Sequence, residues 1–271
     1  MTNSVLVTGG TGTVGRVVVD SLTAAGKEVR VLSRGRRPQQ STDVRHVMGD
    51  VQTGDGLDAA VDGVDTIVHC VYPTEQLVAA AKRKGSPHLV YVSIVGSDRI
   101  PFAFYRMMLA NERTIAESSL PWTVLRATQF HDLIAFLLRM LAKPPAIALP
   151  SGLRFQPVDV RDVGERLAQL ALGEPLGRAP DFGGPQARAL DDLARSYLAI
   201  VGKRRPIAPI RLPGKVFGGI RNGGLLAPEH ASGTITFEQY LNEQHAAGQR
   251  PYSDAIRAYL PLPRRGRKRS R

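Results

Sequence analysis

The sequence predicts an α/β fold, a doubly wound parallel sheet with a small C-terminal substrate lobe. Three observations carry that prediction. Short runs rich in β-branched residues alternate with amphipathic runs through the first half of the chain. A glycine-rich turn, Thr8-Gly9-Gly10-Thr11-Gly12-Thr13-Val14-Gly15, closes the first β-like run and opens the first amphipathic one. Hydrophobic residues make up 43% of the 271 residues, enough to bury a sizeable core.

Strands are expected at Ser4–Thr8, Glu28–Ser33, Val44–Met48, Thr66–Val71, Leu89–Ser93 and Trp122–Arg126. These runs are short and β-branched, as strands covered on both faces should be. Helices are expected between them at Thr13–Ala25, Gly54–Val61, Glu75–Lys84, Phe102–Ser118 and Gln129–Ala142. The spacing argues for βαβ units with right-handed crossovers. After Pro144-Pro145 the texture changes, and Gly and Pro become frequent. Helical patterns continue at Asp162–Leu172, Leu190–Val201 and Phe237–Gln244. The expected organisation is a dinucleotide-binding core over residues 1–150, a lobe over 151–262 contributing the substrate pocket, and a basic tail at 263–271. Ligands of open α/β sheets bind at the carboxyl edge, which the lobe should cover.

The net charge is +12, and six of the cations lie in residues 264–271 with no anion among them. Such a run reads as a solvated, disordered tail. Contact with nucleic acid, a membrane surface or another polyanion is the alternative, confined to that tail. The lone cysteine, Cys70, excludes an internal disulfide and a thiolate-rich zinc site, and no metal is expected. No secretory signal is visible ahead of the first strand. The most apolar helical stretch, Leu133–Leu141, is interrupted by Arg139 and too short to span a bilayer. A cytoplasmic protein acting on a small molecule is expected. The oligomeric state is not legible.

The glycine turn satisfies G-x-G-x-x-G through Gly10, Gly12 and Gly15, and G-x-x-G-x-x-G through Gly9, Gly12 and Gly15. Both patterns serve the same demands: a sharp turn, backbone approach to a pyrophosphate, and close helix–strand packing. The amides of Thr13 and Val14 should face the phosphates at the positive end of a helix. The second strand ends at Ser33, followed by Arg34-Gly35-Arg36-Arg37 and no acid. A carboxylate there would hold a ribose 2′-hydroxyl and repel a 2′-phosphate; a guanidinium does the reverse. Arg34, first after the strand, is the expected 2′-phosphate ligand, with a solvated basic loop as the alternative. NADPH is therefore the expected cofactor, preferred over NADH. Asp50 and Val51, after the third strand, can meet the adenine; Asp50 can equally cap a helix.

Thr8–Gly15, Arg34, Gly49-Asp50, Leu89–Gly96 (LVYVSIVG) and Leu120–His131 (LPWTVLRATQFH) together resemble an atypical, extended short-chain dehydrogenase/reductase of the NmrA-like group. The resemblance covers residues 4–170 well and the C-terminal lobe more loosely. It implies NAD(P)H binding, a Rossmann sheet and a substrate pocket beneath the C-terminal lobe.

Active members of that superfamily use Ser with a Tyr-x-x-x-Lys pair, which a helix places on one face. The ammonium lowers the Tyr pKa so that the phenol exchanges protons near neutrality. Ser93 matches the serine. The Tyr and Lys positions hold Phe104 and Met108, and a frame starting at Tyr105 reaches Leu109. The pair is absent. Ser93, Tyr105 and His131 remain as candidate catalytic groups, each with a plain structural alternative: a strand-end hydroxyl, a packed aromatic and a helix-start polar residue. The turn His69-Cys70-Val71-Tyr72-Pro73 is shorter than in relatives. Two functions are compatible with this pattern. One is an oxidoreductase passing hydride to a small apolar acceptor, with quinones and enones favoured over simple carbonyls. The other is a noncatalytic NmrA-like dinucleotide sensor.

Overall fold

The computed structural model describes residues 4–35 and 44–248. Arg36, Arg37, the end of the expected lobe and the basic tail lie outside the described residues.

Seven parallel strands form the central sheet, in the order β3-β2-β1-β4-β5-β6-β9. They are β1 (Ser4–Thr8), β2 (Glu28–Ser33), β3 (Val44–Met48), β4 (Thr66–His69), β5 (His88–Ile94), β6 (Trp122–Ala127) and the two-residue β9 (Gly177–Arg178). The order reverses between β1 and β4, which makes their carboxyl ends the switch point where a dinucleotide lies. Both faces are covered, and the pleat divides β1 between them. Val5 and Val7 point to the layer of α1 (Thr13–Ala24) and α6 (Val160–Leu172). Leu6 points to the opposite layer, with Leu57 of α2 (Leu57–Val61), Leu77 of α3 (Glu75–Arg83) and Ile115 of α4 (Ala103–Ala116).

Helix boundaries differ from the sequence expectation where glycine and capping intervene. Gly54 and Gly56 take positive φ and form a turn, so α2 starts at Leu57. Asp159 accepts the Arg161 N–H and starts α6 two residues early. Strand β4 stops at His69, although the Cys70 amide still reaches the Thr8 carbonyl.

The larger difference concerns residues beyond 150. Helix α6 packs closely on α1, with Gly164 against Val17, and β9 extends the main sheet beside β6. Residues 160–178 thus lie in the core layers and not in a separate lobe. The third apolar cluster joins α5 (His131–Leu141), β7 (Ile147–Pro150), α7 (Leu190–Ile200) and α9 (Phe237–Ala246). Strand β7 pairs in parallel with β11 (Ile207–Ile210), and the short β8 (Arg154–Phe155) and β10 (Arg188–Ala189) pair antiparallel. These small strands are two to four residues long and carry Pro or Arg, so the sequence did not announce them.

Two polar side chains, the buried Gln156 and the half-buried Asp162, tie this lobe to the carboxyl edge. Gln156 donates to the Gly184 and Ala227 carbonyls and accepts the Ala227 N–H. Asp162 accepts from the Thr234 hydroxyl and from the backbone amides of Thr234 and Ile235.

Candidate active site

The glycine turn leaves the carboxyl end of β1 and enters α1, and each glycine has its own reason. A Cβ on Gly15 would run into the backbone of Gly9 and Gly10, so helix and strand can approach only with glycine there. Gly10 lies against Val31 of β2, and Gly9, at φ +73°, lies against Val71 of the β4–α3 turn. Gly12 is different. Its φ is −81°, and a Cβ there would meet only the Gly9 carbonyl oxygen, at 3.1 Å. Nothing in the protein itself demands glycine at that place. A bare backbone beside open space at a helix start is what an approaching pyrophosphate requires. Consistent with this, Gly12 caps α1 without any side-chain hydrogen bond.

Beside the turn, Ser33 ends β2 and donates its hydroxyl to the Gly35 carbonyl, at 2.8 Å. Arg34 is exposed and has no ion-pair partner among the described residues. After β3, Asp50 accepts the Gln52 N–H through Oδ1 at 2.8 Å, while Val51 is buried in the core. The structure therefore brings Thr8–Gly15, Ser33, Arg34, Asp50 and Val51 to the ends of three adjacent strands, one continuous edge. These residues fit a dinucleotide: a glycine cradle, an uncapped helix start, and an exposed arginine with no acid directly after β2.

The three candidate catalytic groups fare differently. Ser93 is the penultimate residue of β5, buried, and its hydroxyl donates to the Glu112 carboxylate in a short bond. Glu112 also accepts from Ser97 and holds Arg126 through Nε and Nη2, at 2.8 and 2.7 Å. Arg126 reaches Asp98 at 2.8 Å through its remaining nitrogen. Ser93 thus belongs to a buried charge network, and its proton is committed. Tyr105 lies on α4 with Phe102 and Phe104 around it, at ring distances of 6.0 and 6.3 Å. Burial pushes its phenol up to about 12, away from the range of a useful proton donor.

His131 starts α5 fully buried, stacked on Tyr240 and tilted against Phe237. Its Nε2 faces the Ile235 carbonyl at 2.9 Å. A carbonyl only accepts, so the ring's single proton sits on Nε2 and is spent on a tie to the C-terminal segment. Burial lowers its pKa and keeps it neutral. Ser93 and His131 thus spend their protons within the protein, on Glu112 and the Ile235 carbonyl, while the Tyr105 phenol is a weakened acid.

Sequence reading missed the partners that explain this. Glu112 lies one turn beyond Met108 on α4, and Arg126 lies on β6; only the fold joins them. His69 is the last residue of β4. It is buried, bonded through Nδ1 to the Thr8 hydroxyl at 2.6 Å and stacked on Tyr91. Phe104 and Met108 occupy the pair's positions as apolar groups. Met108 is buried against the Tyr91 hydroxyl at 3.5 Å, and Phe104 meets Tyr72 edge-on at 5.8 Å. Since Val71 packs on Gly9, the aromatic row Tyr72, Phe104, Tyr105 and Phe102 begins directly beside the phosphate turn. A second, polar cleft between Asp162, Arg166, Gln169, Phe182 and Thr234 includes no residue of the glycine turn.

Comparison with known proteins agrees with the geometry. A family model described as NAD(P)H-binding matches residues 9–136. A (4-alkanoyl-5-oxo-2,5-dihydrofuran-3-yl)methyl phosphate reductase of Streptomyces griseus is 31% identical over 218 residues, 73% of this chain and 74% of that protein. The chain belongs to the NAD(P)H-binding, NmrA-like branch of the atypical short-chain dehydrogenases/reductases. An NAD(P)H azoreductase of Xenophilus azovorans is 28% identical over 213 residues, covering 73% of this chain and 74% of that one. Among solved structures, an NADPH-dependent quinone oxidoreductase of Escherichia coli complexed with NADPH superposes with a TM-score of 0.77 at 17% identity, over 89% of this chain and 99% of that one. A triphenylmethane reductase of Citrobacter sp. complexed with NADP(H) gives 0.73 at 21% identity, over 89% and 99%. At these identities the superpositions speak for the Rossmann fold alone. Among the described residues no helix is long and apolar enough to cross a membrane, and no cluster of metal-ligating side chains occurs.

Proposed function

We propose that this NmrA-like protein is an NADPH-dependent reductase of planar, electron-poor conjugated acceptors such as quinones, enones or azo compounds. One observation carries the choice of acceptor. The positions that hold a Tyr–Lys pair in carbonyl-reducing relatives are Phe104 and Met108, and Phe104 stands in a row of aromatic side chains beside the phosphate turn. Aromatic faces stack planar acceptors, by about 0.5–1.5 kcal/mol beyond the area they bury.

Bound at this edge, the cofactor supplies a hydride. The chain's own residues bind and orient. Gly12 leaves room for the pyrophosphate, and the start of α1 donates amides to it. Arg34 pairs with the 2′-phosphate, and Asp50, through the oxygen not used by Gln52, accepts from the adenine amino group. Phe104, Tyr72 and Phe102 exclude water and present an apolar face. No residue on this edge offers a strong acid, so acceptors whose reduced form is a stabilised anion are turned over best; general-acid help is worth about 10²–10⁴ in rate where it is needed. The similarity to reductases of a butenolide phosphate and of azo compounds supports this reading.

The test has two parts. Calorimetric titration should find NADPH bound about ten- to a hundredfold more tightly than NADH, and Arg34→Ala should remove most of that difference. NADPH oxidation, followed by absorbance, should be fast with quinones and azo compounds and slow with simple ketones. Tight binding without turnover on any acceptor would favour the noncatalytic sensor instead.

A further inference from the structure

We infer that Arg16 is a second ligand for the cofactor's 2′-phosphate, forming with Arg34 a two-guanidinium clamp on the β2 side of the turn. The inference rests on the NADPH reading above. Arg16 lies in the opening turns of α1, where the helix dipole disfavours a cation unless an anion accompanies it. Helix α1 has no acidic residue in its first turn, and Arg16 enters no ion pair among the described residues. It is exposed, yet its side chain is directed: Nε donates to the Thr11 carbonyl at 3.0 Å. That bond folds the guanidinium back over the phosphate turn and leaves both terminal nitrogens available for a bidentate anion contact.

The strand register indicates which phosphate. In the parallel β1–β2 pair Thr8 faces Leu32. Beyond Thr8, with Arg34 directly following β2, the chain turns at Gly9, φ +73°, and sets Gly10 against Val31 of β2. Thr11, which holds Arg16, is the next residue. Both guanidinium groups therefore flank the part of the edge nearest the end of β2, where the adenosine ribose lies. The pyrophosphate belongs farther along, at Gly12 and the start of α1. Two arginines also suit the charge, since a phosphate monoester carries about −1.5 to −2 near neutrality.

Calorimetric titration of the full chain with NADPH and with NADH tests this, for wild type, Arg16→Gln, Arg34→Ala and the double variant. Arg16→Gln should weaken NADPH about tenfold and leave NADH within about twofold. Arg16→Lys should fall between, keeping the charge and losing the fork. The double variant should bind both cofactors alike. Equal weakening of NADPH and NADH by Arg16→Gln would place the side chain on the pyrophosphate and overturn the inference. So would unchanged NADPH affinity in a wild type that does prefer NADPH; in that case the NADPH reading stands and only Arg16 falls. A wild type without preference would overturn both. Arg16 is a surface residue, and circular dichroism of Arg16→Gln should match wild type, so a binding loss is not a folding loss.

Discussion

The Ser93 hydroxyl donates a hydrogen bond to the carboxylate of Glu112, a residue one helical turn beyond the position where a catalytic lysine would stand. The contact engages the proton of the residue that matches the family's serine. Glu112 simultaneously satisfies Arg126, whose side chain is 5% exposed, so the network cannot be opened cheaply. Removing one partner of a buried pair costs about 3–5 kcal/mol, because the other charge stays behind unpaired. Glu112→Gln should therefore lower stability in urea by about that much. Ser93→Ala should cost only about 1–3 kcal/mol, the value of one hydrogen bond to a charged group. It should leave quinone turnover unchanged. A large loss of turnover in a folded Ser93→Ala protein would return Ser93 to the reaction.

Gly12→Val should abolish binding of NADPH and NADH alike while the protein stays folded. The backbone at residue 12 is extended, with φ −81° and ψ 179°, which valine adopts readily. The new side chain meets no more than the Gly9 carbonyl within the protein. It would fill the space left for the pyrophosphate. Circular dichroism and calorimetric titration together check this. A folded variant with normal cofactor affinity would move the phosphate site elsewhere.

Restoring the missing pair with Phe104→Tyr and Met108→Lys should raise activity on simple carbonyls more than on quinones. An alkoxide product needs a proton donor, while a hydroquinone anion is already stabilised, and the gain is bounded at about 10²–10⁴. Met108 is buried, so the ammonium must find Tyr91 and Asn111 as neighbours or lower its own pKa. A measurable loss of thermal stability is expected. Equal gains on both acceptor classes, in a variant that binds NADPH, would show that α4 does not present these positions to the reaction.

Stability should fall with acid below pH 6.5, and His69 should account for part of the fall. Burial lowers its imidazole from 6.5 to about 4, against a smaller opposing effect from the Pro73 backbone. Above 6.5 the ring is neutral in both states and its contribution is fully present. As pH drops toward 4 the unfolded chain takes a proton that the folded chain refuses, so the folded state loses ground. The loss attributable to His69 is about 2 kcal/mol between about pH 7.5 and 5. Urea unfolding of wild type and His69→Gln at the two pH values measures it. The stability gap between them should shrink by about that amount at the lower pH; a constant gap would show that His69 protonates normally when folded.

By itself the sequence determined the sheet and the cofactor cradle. Strands β1, β2 and β3 begin and end at the expected residues, and Gly9 to Gly15 form the expected turn. Both signals are local: a strand covered on both faces must be an apolar run, and a glycine turn is built from consecutive residues. The position of Arg34, directly after β2, was legible for the same reason. Tertiary structure alone decided the chemistry around them. Ser93, Glu112 and Arg126 come from β5, α4 and β6, and no spacing in the chain reveals that their charges satisfy one another. Whether His131 was a proton donor or a helix-start polar residue stayed open in the sequence; the fold brings the Ile235 carbonyl, some hundred residues away, to accept its N–H. The side-chain hydrogen bond from Arg16 to Thr11 is invisible to pattern, because a directed arginine and a solvated one read alike. Helix α6 joined the core through Gly164 and Val17, a close approach between segments far apart in sequence. Buried polar groups must find partners wherever the fold brings them, and that pairing is a property of the assembled layers, not of the order of residues.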